Sequence, residues 1–286
     1  FDMGDRAEVV KEGDTRNFGK HTIAFVAAPM VHWPEAMVSF DTTTGTLFSA
    51  DAFGSFGALG GRIFNDEVDF ERDWLDDARR YYTNIVGKYG PHVMDLLNKA
   101  SSLDIKMICP LHGPVWRNNI DWFIDKYIHW ASYEPEEKGV LLVYASMYGN
   151  TESAASVFAA RLAEKGMTNI AMYDVSKTDT SYLIADAFKY SHIVIASVTY
   201  NLNIYPKMMT FLDHMRLLHV QNRTVGIIEN GSWACTVGTL IHNYLDEEMR
   251  GITVLQDGVT INSRMTAGQN RTMNDLVDAV IDSMKD

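Results

Sequence analysis

The hydrophobic pattern is most regular after residue 139, where short apolar runs alternate with amphipathic segments of helical period. The run Val140–Val143 is the first of these. The pattern predicts strands at 140–145, 169–174, 191–197, 223–229 and 252–255, and helices at 150–165, 180–188, 206–219, 235–249 and 270–285. Strands that alternate with helices form βαβ units. We therefore expect an α/β fold with a five-stranded, doubly wound parallel sheet covered by helices on both faces.

The first half of the chain is less regular. Its pattern predicts strands at 22–28, 37–40, 47–50 and 106–109, and helices at 69–86, 91–100 and 119–132. Gly45 predicts a turn between the second and third of these strands. We expect helices and strands here without a complete sheet.

A polar segment separates the two halves. Residues 132–139 carry four charged side chains, Pro135 and Gly139 directly before the apolar run. Such a composition is typical of a domain linker. The sequence therefore predicts two domains, residues 1–137 and 138–286.

Composition narrows the class of protein. The chain has 286 residues, is 47% hydrophobic and has no apolar run of the length that spans a membrane. Its formal charge of −12 disfavours nucleic acid as a partner. Cys109 and Cys235 do not make a disulfide framework, which favours a reducing, cytoplasmic setting.

The loop after the first strand of the second half has the chemistry of a phosphate site. It leads from a buried strand into a helix N-terminus, where free N–H groups and the helix dipole attract an anion. Hydroxyl side chains in the loop can donate to a phosphate, and its glycine allows a tight bend. The loop consists of Ser146, Met147, Tyr148, Gly149, Asn150 and Thr151. Spacing alone is equally compatible with a capped turn.

Two further loops follow predicted strands of the same sheet. Because open α/β sheets bind ligands at the carboxyl ends of their strands, these loops are expected to lie beside the first one. Each carries a large aromatic side chain that can stack on a planar ring. The loops contain Val198, Thr199, Tyr200 and Asn201, and Asn230, Gly231, Ser232 and Trp233. Trp233 could also be an aromatic at the edge of the core.

With its Ser-Met-Tyr-Gly-Asn-Thr loop at 146–151, the second half resembles a flavodoxin domain. The resemblance implies that this loop holds the phosphate of FMN. It also implies that the loops at 198–201 and 230–233 flank the isoalloxazine ring.

Three polar residues in the first half end apolar runs and enter loops rich in Gly, Pro and aromatic residues. These are His32, Asp51 and His112. Imidazole and carboxylate suit iron or zinc, and a carboxylate can bridge two metals. On spacing alone this signal is weak, because a histidine after a strand is more often a hydrogen-bonded loop residue than a ligand, and an aspartate there often caps the next turn. The sequence contains no H-x-E-x-D-H cluster.

The order of these features resembles that of the flavodiiron proteins, which join a metallo-β-lactamase-like (αββα) di-iron domain to a flavodoxin domain. The resemblance rests on Val31–Glu35, Ser49–Gly54, Cys109–Pro114 and the FMN loops. It implies that His32 binds one iron, that Asp51 bridges both and that His112 binds the second. The H-x-E-x-D-H ligand cluster of the family would lie upstream of Phe1. We therefore expect the chain to be a piece with an incomplete di-iron site.

The same resemblance implies an activity. A redox donor such as rubredoxin or a flavin or deazaflavin reductant would pass electrons through FMN to iron, which reduces O₂ to water or NO to N₂O. Trp33, Phe53 and Phe56 would keep the iron pocket dry, although core packing explains Phe56 equally well. A head-to-tail homodimer is also implied. The alternatives are an FMN electron carrier with a metal-free structural region and, with less support, a zinc hydrolase.

Overall fold

The computed structural model describes residues 4–285. Phe1–Met3, where the chain starts without an initiator Met, and Asp286 lie outside the described residues. The chain divides into two compact units between Ser132 and Tyr133.

The first unit contains a five-stranded sheet. Its strands are β1 (Thr15–Asn17), β2 (Thr22–Ala27), β3 (Met37–Asp41), β4 (Thr46–Phe48) and β5 (Met107–Cys109), in the order β1-β2-β3-β4-β5. The first four strands are antiparallel, and β5 is parallel to β4. The expectation that this half has no complete sheet was wrong. The polar β1 carries no hydrophobic signal, and β4 pairs with a strand almost sixty residues away, which periodicity cannot show.

Within the described part of the first unit, four α-helices accompany this sheet. They are α1 (Phe70–Asp73), α2 (Leu75–Ile85), α3 (Gly90–Ala100) and α4 (Ile120–Ala131), with short 3-10 helices at Gly4–Arg6, Asn65–Glu67 and Gly87–Tyr89. The predicted helix at 69–86 is interrupted at Trp74, whose φ of −132° is not helical. Buried aromatic side chains form much of the core. Trp116 stacks on Phe123 with ring centroids 4.0 Å apart.

The second unit contains the predicted parallel sheet. Its main strands are β6 (Glu137–Tyr144), β7 (Ile170–Asp174), β8 (Tyr190–Tyr200), β10 (Arg223–Gly231) and β11 (Ile252–Asn262), while β9 (Asn203–Ile204) pairs antiparallel with β8. The spatial order is β11-β10-β8-β6-β7, and all neighbours along it are parallel. After β6 the chain adds β7 on one side of it, and it then returns to add β8 on the other side. The carboxyl edge between β6 and β8 is therefore a topological switch point.

Between Tyr133 and Lys285, five α-helices connect and cover these strands. They are α5 (Asn150–Glu164), α6 (Thr180–Lys189), α7 (Pro206–Leu217), α8 (Val237–Glu248) and α9 (Asn270–Ser283), with a 3-10 helix at Ala267–Gln269. The side chains of Val140–Val143 are fully buried, as are those of Ile193–Ala196. Burial on both faces explains why these runs are continuously apolar.

The last strand extends beyond its prediction. β11 continues to Asn262, seven residues past the predicted end at 255. Its pairing with β10 shifts in register between Val225 and Ile227, so that Ile227 faces Gly258. The exposed residues Gln256 and Asp257 at this irregularity interrupt the apolar pattern. Because Gly231 at the end of β10 faces Asn262 at the end of β11, the two strands end at the same edge of the sheet.

Candidate functional site

Loops at the carboxyl edge of the parallel sheet surround a cavity of about 280 Å³. Of the residues predicted in the three loops, all except Gly149 line it: Ser146, Met147, Tyr148, Asn150, Thr151, Val198, Thr199, Tyr200, Asn201, Asn230, Gly231, Ser232 and Trp233. The topology thus brings together three loops that are far apart in sequence.

The first loop leaves the amino terminus of α5 open. Gly149 is the N-cap residue of α5, with φ +83°, and no side chain among the described residues caps this end of the helix. The Gly149 N–H donates to Ser146 Oγ over 3.1 Å, which curls the loop. The first N–H groups of a helix have no partner within the helix, so they remain available to an anion at this point. The arrangement has the chemistry of a phosphate cradle built without Lys or Arg.

The helix α8 also begins at this edge, but side chains of the protein already accept hydrogen bonds from its first backbone N–H groups. Thr199 Oγ1 accepts hydrogen bonds from the backbone N–H groups of Thr236 and Val237, over 3.2 and 3.3 Å. The Glu229 carboxylate accepts from the N–H of Gly238 over 3.0 Å. Thr199 therefore has a capping role that its position in the sequence did not reveal. An anion is favoured at α5 and not at α8.

Two of the predicted side chains are buried in a small polar network. Asn230 is 4% exposed and Thr151 is 2% exposed. The Asn230 amide donates to Thr151 Oγ1 over 3.2 Å and to the backbone oxygen of Ser263 over 2.9 Å. The network connects the loops after β6, β10 and β11.

The aromatic side chains of the loops are exposed at the cavity. Trp233 is 90% exposed and Tyr148 is 86% exposed, whereas Tyr200 packs edge-to-face against Tyr205 with ring centroids 5.9 Å apart. Trp233 is thus not part of the core. Exposed aromatic surface of this size beside a cavity is typical of a site that receives another flat or apolar group.

Three lining residues were missed by the sequence reasoning. They are Leu202, Ala234 and Ser263. Leu202 and Ala234 directly follow predicted loop residues. Ser263 follows β11, and it would have been found if that strand had been extended to its observed end at the common edge.

In the first unit, the structure brings His32, Asp51 and His112 into contact. Asp51 Oδ2 lies 3.2 Å from His32 Nε2, and Asp51 Oδ1 lies 3.3 Å from His112 Nε2. Each carboxylate oxygen therefore faces a different imidazole. The three side chains are 18–56% exposed, so the cluster is open to solvent.

The backbone around this cluster is strained. Ala50 and Phe53, on either side of Asp51, have φ values of +51° and +65°, and Met30, before His32, has φ +66°. Residues with a side chain adopt such left-handed conformations at a cost, and they concentrate at functional sites. The strain is therefore independent support for a functional role of the cluster.

A buried tyrosine lies behind the cluster. Tyr81 is 3% exposed, and its ring centroid is 5.8 Å from that of His112. Burial, together with the nearby Asp51 charge, raises the pKa of Tyr81, so its hydroxyl stays protonated. A Cβ on Gly54 would come within 2.8 Å of the Tyr81 ring, which explains the glycine.

The other aromatic residues near the cluster differ in environment. Trp33 is 59% exposed and its ring centroid is 5.8 Å from that of His32. Phe53 is buried against Tyr127, and Phe56 packs edge-to-face on Tyr81. Core packing therefore accounts for Phe53 and Phe56.

The cluster fits a metal site only in part. Adjacent ligands at about 2.1 Å from one metal lie about 3 to 3.4 Å apart, which matches the two nitrogen–oxygen distances. However, within residues 4–285 no group of three or more His, Cys, Asp or Glu side chains is arranged to hold a metal ion. One imidazole and one carboxylate oxygen at each of two positions are too few ligands for two irons.

Known proteins resemble this chain in sequence. The family described as "ODP family beta lactamase" matches residues 2–113. The anaerobic nitric oxide reductase flavorubredoxin of Escherichia coli O1:K1 is 30% identical over 232 residues, which cover 79% of this chain and 47% of that protein. The chain spans about half the length of the curated relatives it matches.

Solved structures match nearly the whole chain. Rubredoxin oxygen:oxidoreductase from Desulfovibrio gigas has a TM-score of 0.88 at 25% identity, covering 97% of this chain and 69% of that one. The flavodiiron protein from Giardia intestinalis has a TM-score of 0.89 at 24% identity, with the same coverage. No helix among the described residues is both long and apolar enough to cross a membrane.

Proposed function

We propose that this chain, which is related to the flavodiiron proteins over both of its units, binds FMN at the carboxyl edge of its parallel sheet. The observation that carries the proposal is the open amino terminus of α5 at a cavity rimmed by exposed aromatic rings. A phosphate needs the first feature and a flat, partly apolar ring needs the second.

The residues of the cavity divide into two groups by chemistry. The N–H groups at the start of α5, with the hydroxyls of Ser146 and Thr151, would hold the phosphate. Tyr148 and Trp233 would cover the ring and exclude water from it. FMN, when bound, supplies the ability to take up two electrons and release them one at a time.

We further propose that the first unit is part of a metal domain and that the second unit is a flavodoxin-like domain. The boundary that the sequence predicts, between residues 137 and 138, lies five residues after the division between Ser132 and Tyr133. His32, Asp51 and His112 would contribute ligands to an iron site. These three residues would be only part of the ligand set that two irons need.

The proposed activity is that of an oxidoreductase acting on O₂ or NO, as do the related rubredoxin oxygen:oxidoreductase and nitric oxide reductase flavorubredoxin. Electrons would arrive from a small redox protein such as rubredoxin or from a reduced flavin or deazaflavin. We also propose the head-to-tail homodimer that the resemblance to the flavodiiron proteins implies, and the exposed side chains of Trp33 and Leu111 would be available to a partner subunit. The free thiols of Cys109 and Cys235 suit the proposed cytoplasmic location.

The second candidate is an FMN electron carrier with a metal-free first unit. It is favoured by the three-residue ligand set and by the exposure of the cluster to solvent.

One experiment separates the two functions. The chain is loaded with FMN and reduced under anaerobic conditions, then mixed with a known amount of NO or of O₂, and its bound iron is measured in parallel. Gas consumption that rises with bound iron and is lost in Asp51→Asn supports the reductase. Consumption of O₂ that is independent of iron, with no consumption of NO, is flavin autoxidation and supports the carrier.

A further inference from the structure

We infer that Asn230 is a positioning residue, which turns the Thr151 hydroxyl toward the phosphate of the flavin and thereby makes the site selective for FMN over riboflavin. The inference rests on the proposed FMN site. It assigns to Asn230 a role different from contact with the isoalloxazine ring.

The orientation of the Asn230 amide is fixed by a backbone group. Its nitrogen lies 2.9 Å from the Ser263 oxygen, and a backbone carbonyl can only accept hydrogen bonds. The group that faces Ser263 must therefore be the NH₂ of Asn230 and not its oxygen. The other hydrogen of the same NH₂ then points to Thr151 Oγ1, 3.2 Å away.

This geometry determines what the Thr151 hydroxyl can do. Because its oxygen accepts from Asn230, its own hydrogen is left to donate elsewhere. Among the described residues, the hydrogen bond from Asn230 is the only one that involves this hydroxyl. Thr151 lies in the first turn of α5 and lines the cavity, so the unassigned hydrogen is next to the N–H groups that attract an anion.

The network is rigid enough to hold this orientation. Asn230 and Thr151 are almost fully buried, and Ser263, which accepts the hydrogen bond from Asn230, is itself held in place by the backbone. The Ser263 N–H donates to the oxygen of Gly231 over 3.2 Å, and Ser263 has φ +67°. A hydroxyl fixed in advance as a donor favours an acceptor-only phosphate, while the ring and its ribityl chain gain nothing from it.

The test compares two ligands that differ only in the phosphate. Dissociation constants for FMN and riboflavin are measured by fluorescence titration of the apoprotein. Asn230→Asp replaces the donor by an acceptor, to which the Thr151 hydroxyl would turn. We expect FMN affinity to fall about tenfold or more and riboflavin affinity to stay within about twofold. Asn262→Asp adds the same charge at the same sheet edge, where Asn262 is exposed, and should leave the ratio of affinities nearly unchanged.

A double-mutant cycle separates positioning from charge. Asn230→Leu should lower the FMN-to-riboflavin preference in the unaltered protein but have little further effect in a Thr151→Val background, where no hydroxyl remains to be turned. Equal losses for both flavins in the Asn230 variants, or an undiminished effect of Asn230→Leu in the Thr151→Val background, would overturn the inference and leave the FMN site standing. Failure of the unaltered chain to bind either flavin would overturn the proposed cofactor and this inference with it.

Discussion

The carboxylate of Glu229 accepts a hydrogen bond from the N–H of Gly238 over 3.0 Å, and this contact helps to close the amino terminus of α8. At α5, the corresponding cap is Gly149, which has no side chain to offer. Two helices that begin at the same edge of the sheet therefore differ in whether they can receive an anion.

Gly149→Ala should weaken FMN binding several-fold. Its φ of +83° costs a residue with a Cβ about 1 to 2 kcal/mol, although that Cβ would meet no described residue beyond its immediate neighbours in the chain. The unliganded loop would relax, and binding would have to restore its shape. Gly166→Ala is the matched control, since Gly166 has φ +91° and equally open surroundings at the far end of α5. It should lower the melting temperature and leave FMN affinity unchanged, whereas an equal loss of affinity in both variants would contradict the account.

Trp233→Ala should weaken FMN binding without affecting stability. Stacking on a planar ring contributes about 0.5 to 1.5 kcal/mol, which corresponds to about two- to thirteenfold in the dissociation constant. Because Trp233 is 90% exposed, the melting temperature of the apoprotein should not change. Rebinding of FMN to apoprotein tests this, with Tyr182→Ala, a half-exposed tyrosine on α6 that does not line the cavity, as control. Unchanged FMN affinity in Trp233→Ala would remove Trp233 from the site.

The 286-residue chain should retain fewer than two iron atoms after loading with Fe²⁺ and gel filtration. His32, Asp51 and His112 provide one imidazole each and a shared carboxylate, which leaves most positions on two irons without a protein ligand. Asp51→Asn should lower the retained iron further, because it weakens both positions at once. Two tightly held irons per chain, measured by elemental analysis, would show that other residues complete the site.

Stability should depend on pH through His192. This residue is 4% exposed between the hydroxyls of Ser191 and Ser283, and burial together with the charge of Lys138 lowers its pKa to about 4. The unfolded chain takes up a proton on this imidazole near pH 6.5, while the folded chain does so only near pH 4. The free energy of unfolding should therefore fall as the pH is lowered through this window, by about 3 kcal/mol from this group.

Urea unfolding at several pH values, compared between the unaltered protein and His192→Gln, isolates this contribution from that of the carboxylates. The difference between the two proteins should change between pH 6.5 and pH 4 and be constant above pH 7. His242→Gln, at an exposed position of α8, is the control. A difference that does not vary with pH would contradict the assignment.

Arg223→Lys should destabilise the second unit strongly. The Arg223 side chain is 2% exposed and donates to five backbone oxygens, those of Tyr133, Ala187, Phe188, Gln221 and Asn222. Lysine cannot reproduce this fork of donors, so buried carbonyls would lose their partners. We expect a loss of about 3 to 5 kcal/mol in urea unfolding. Arg271→Lys, at a 92% exposed position, should cost less than about 0.5 kcal/mol, and a similar small cost for Arg223→Lys would contradict the account.

The second unit could be predicted well because its information is local. Strand burial on both faces leaves continuous apolar runs such as Val140–Val143, and the end of each strand marks the binding edge. The prediction failed where local pattern and tertiary structure differ. The irregular pairing around Gly258 concealed the second half of β11, and with it Ser263 at the cavity.

The first unit required long-range information. The contacts of Asp51 with His32 and His112 join residues 19 and 61 positions apart, so no motif spacing could show that each carboxylate oxygen faces one imidazole. The sequence does not distinguish Tyr81 from other aromatic residues on helices, because only the fold brings its ring next to that of His112. The capping role of Thr199 is hidden for the same reason, because its partners lie 37 and 38 residues later.

The most direct measurement is a titration of the apoprotein with FMN, followed by the flavin and tryptophan fluorescence, together with the same titration with riboflavin. The account predicts one FMN bound per chain, with weaker binding of riboflavin and loss of the tryptophan response in Trp233→Ala. Absence of FMN binding, or equal affinity for FMN and riboflavin, would contradict a phosphate site at the amino terminus of α5.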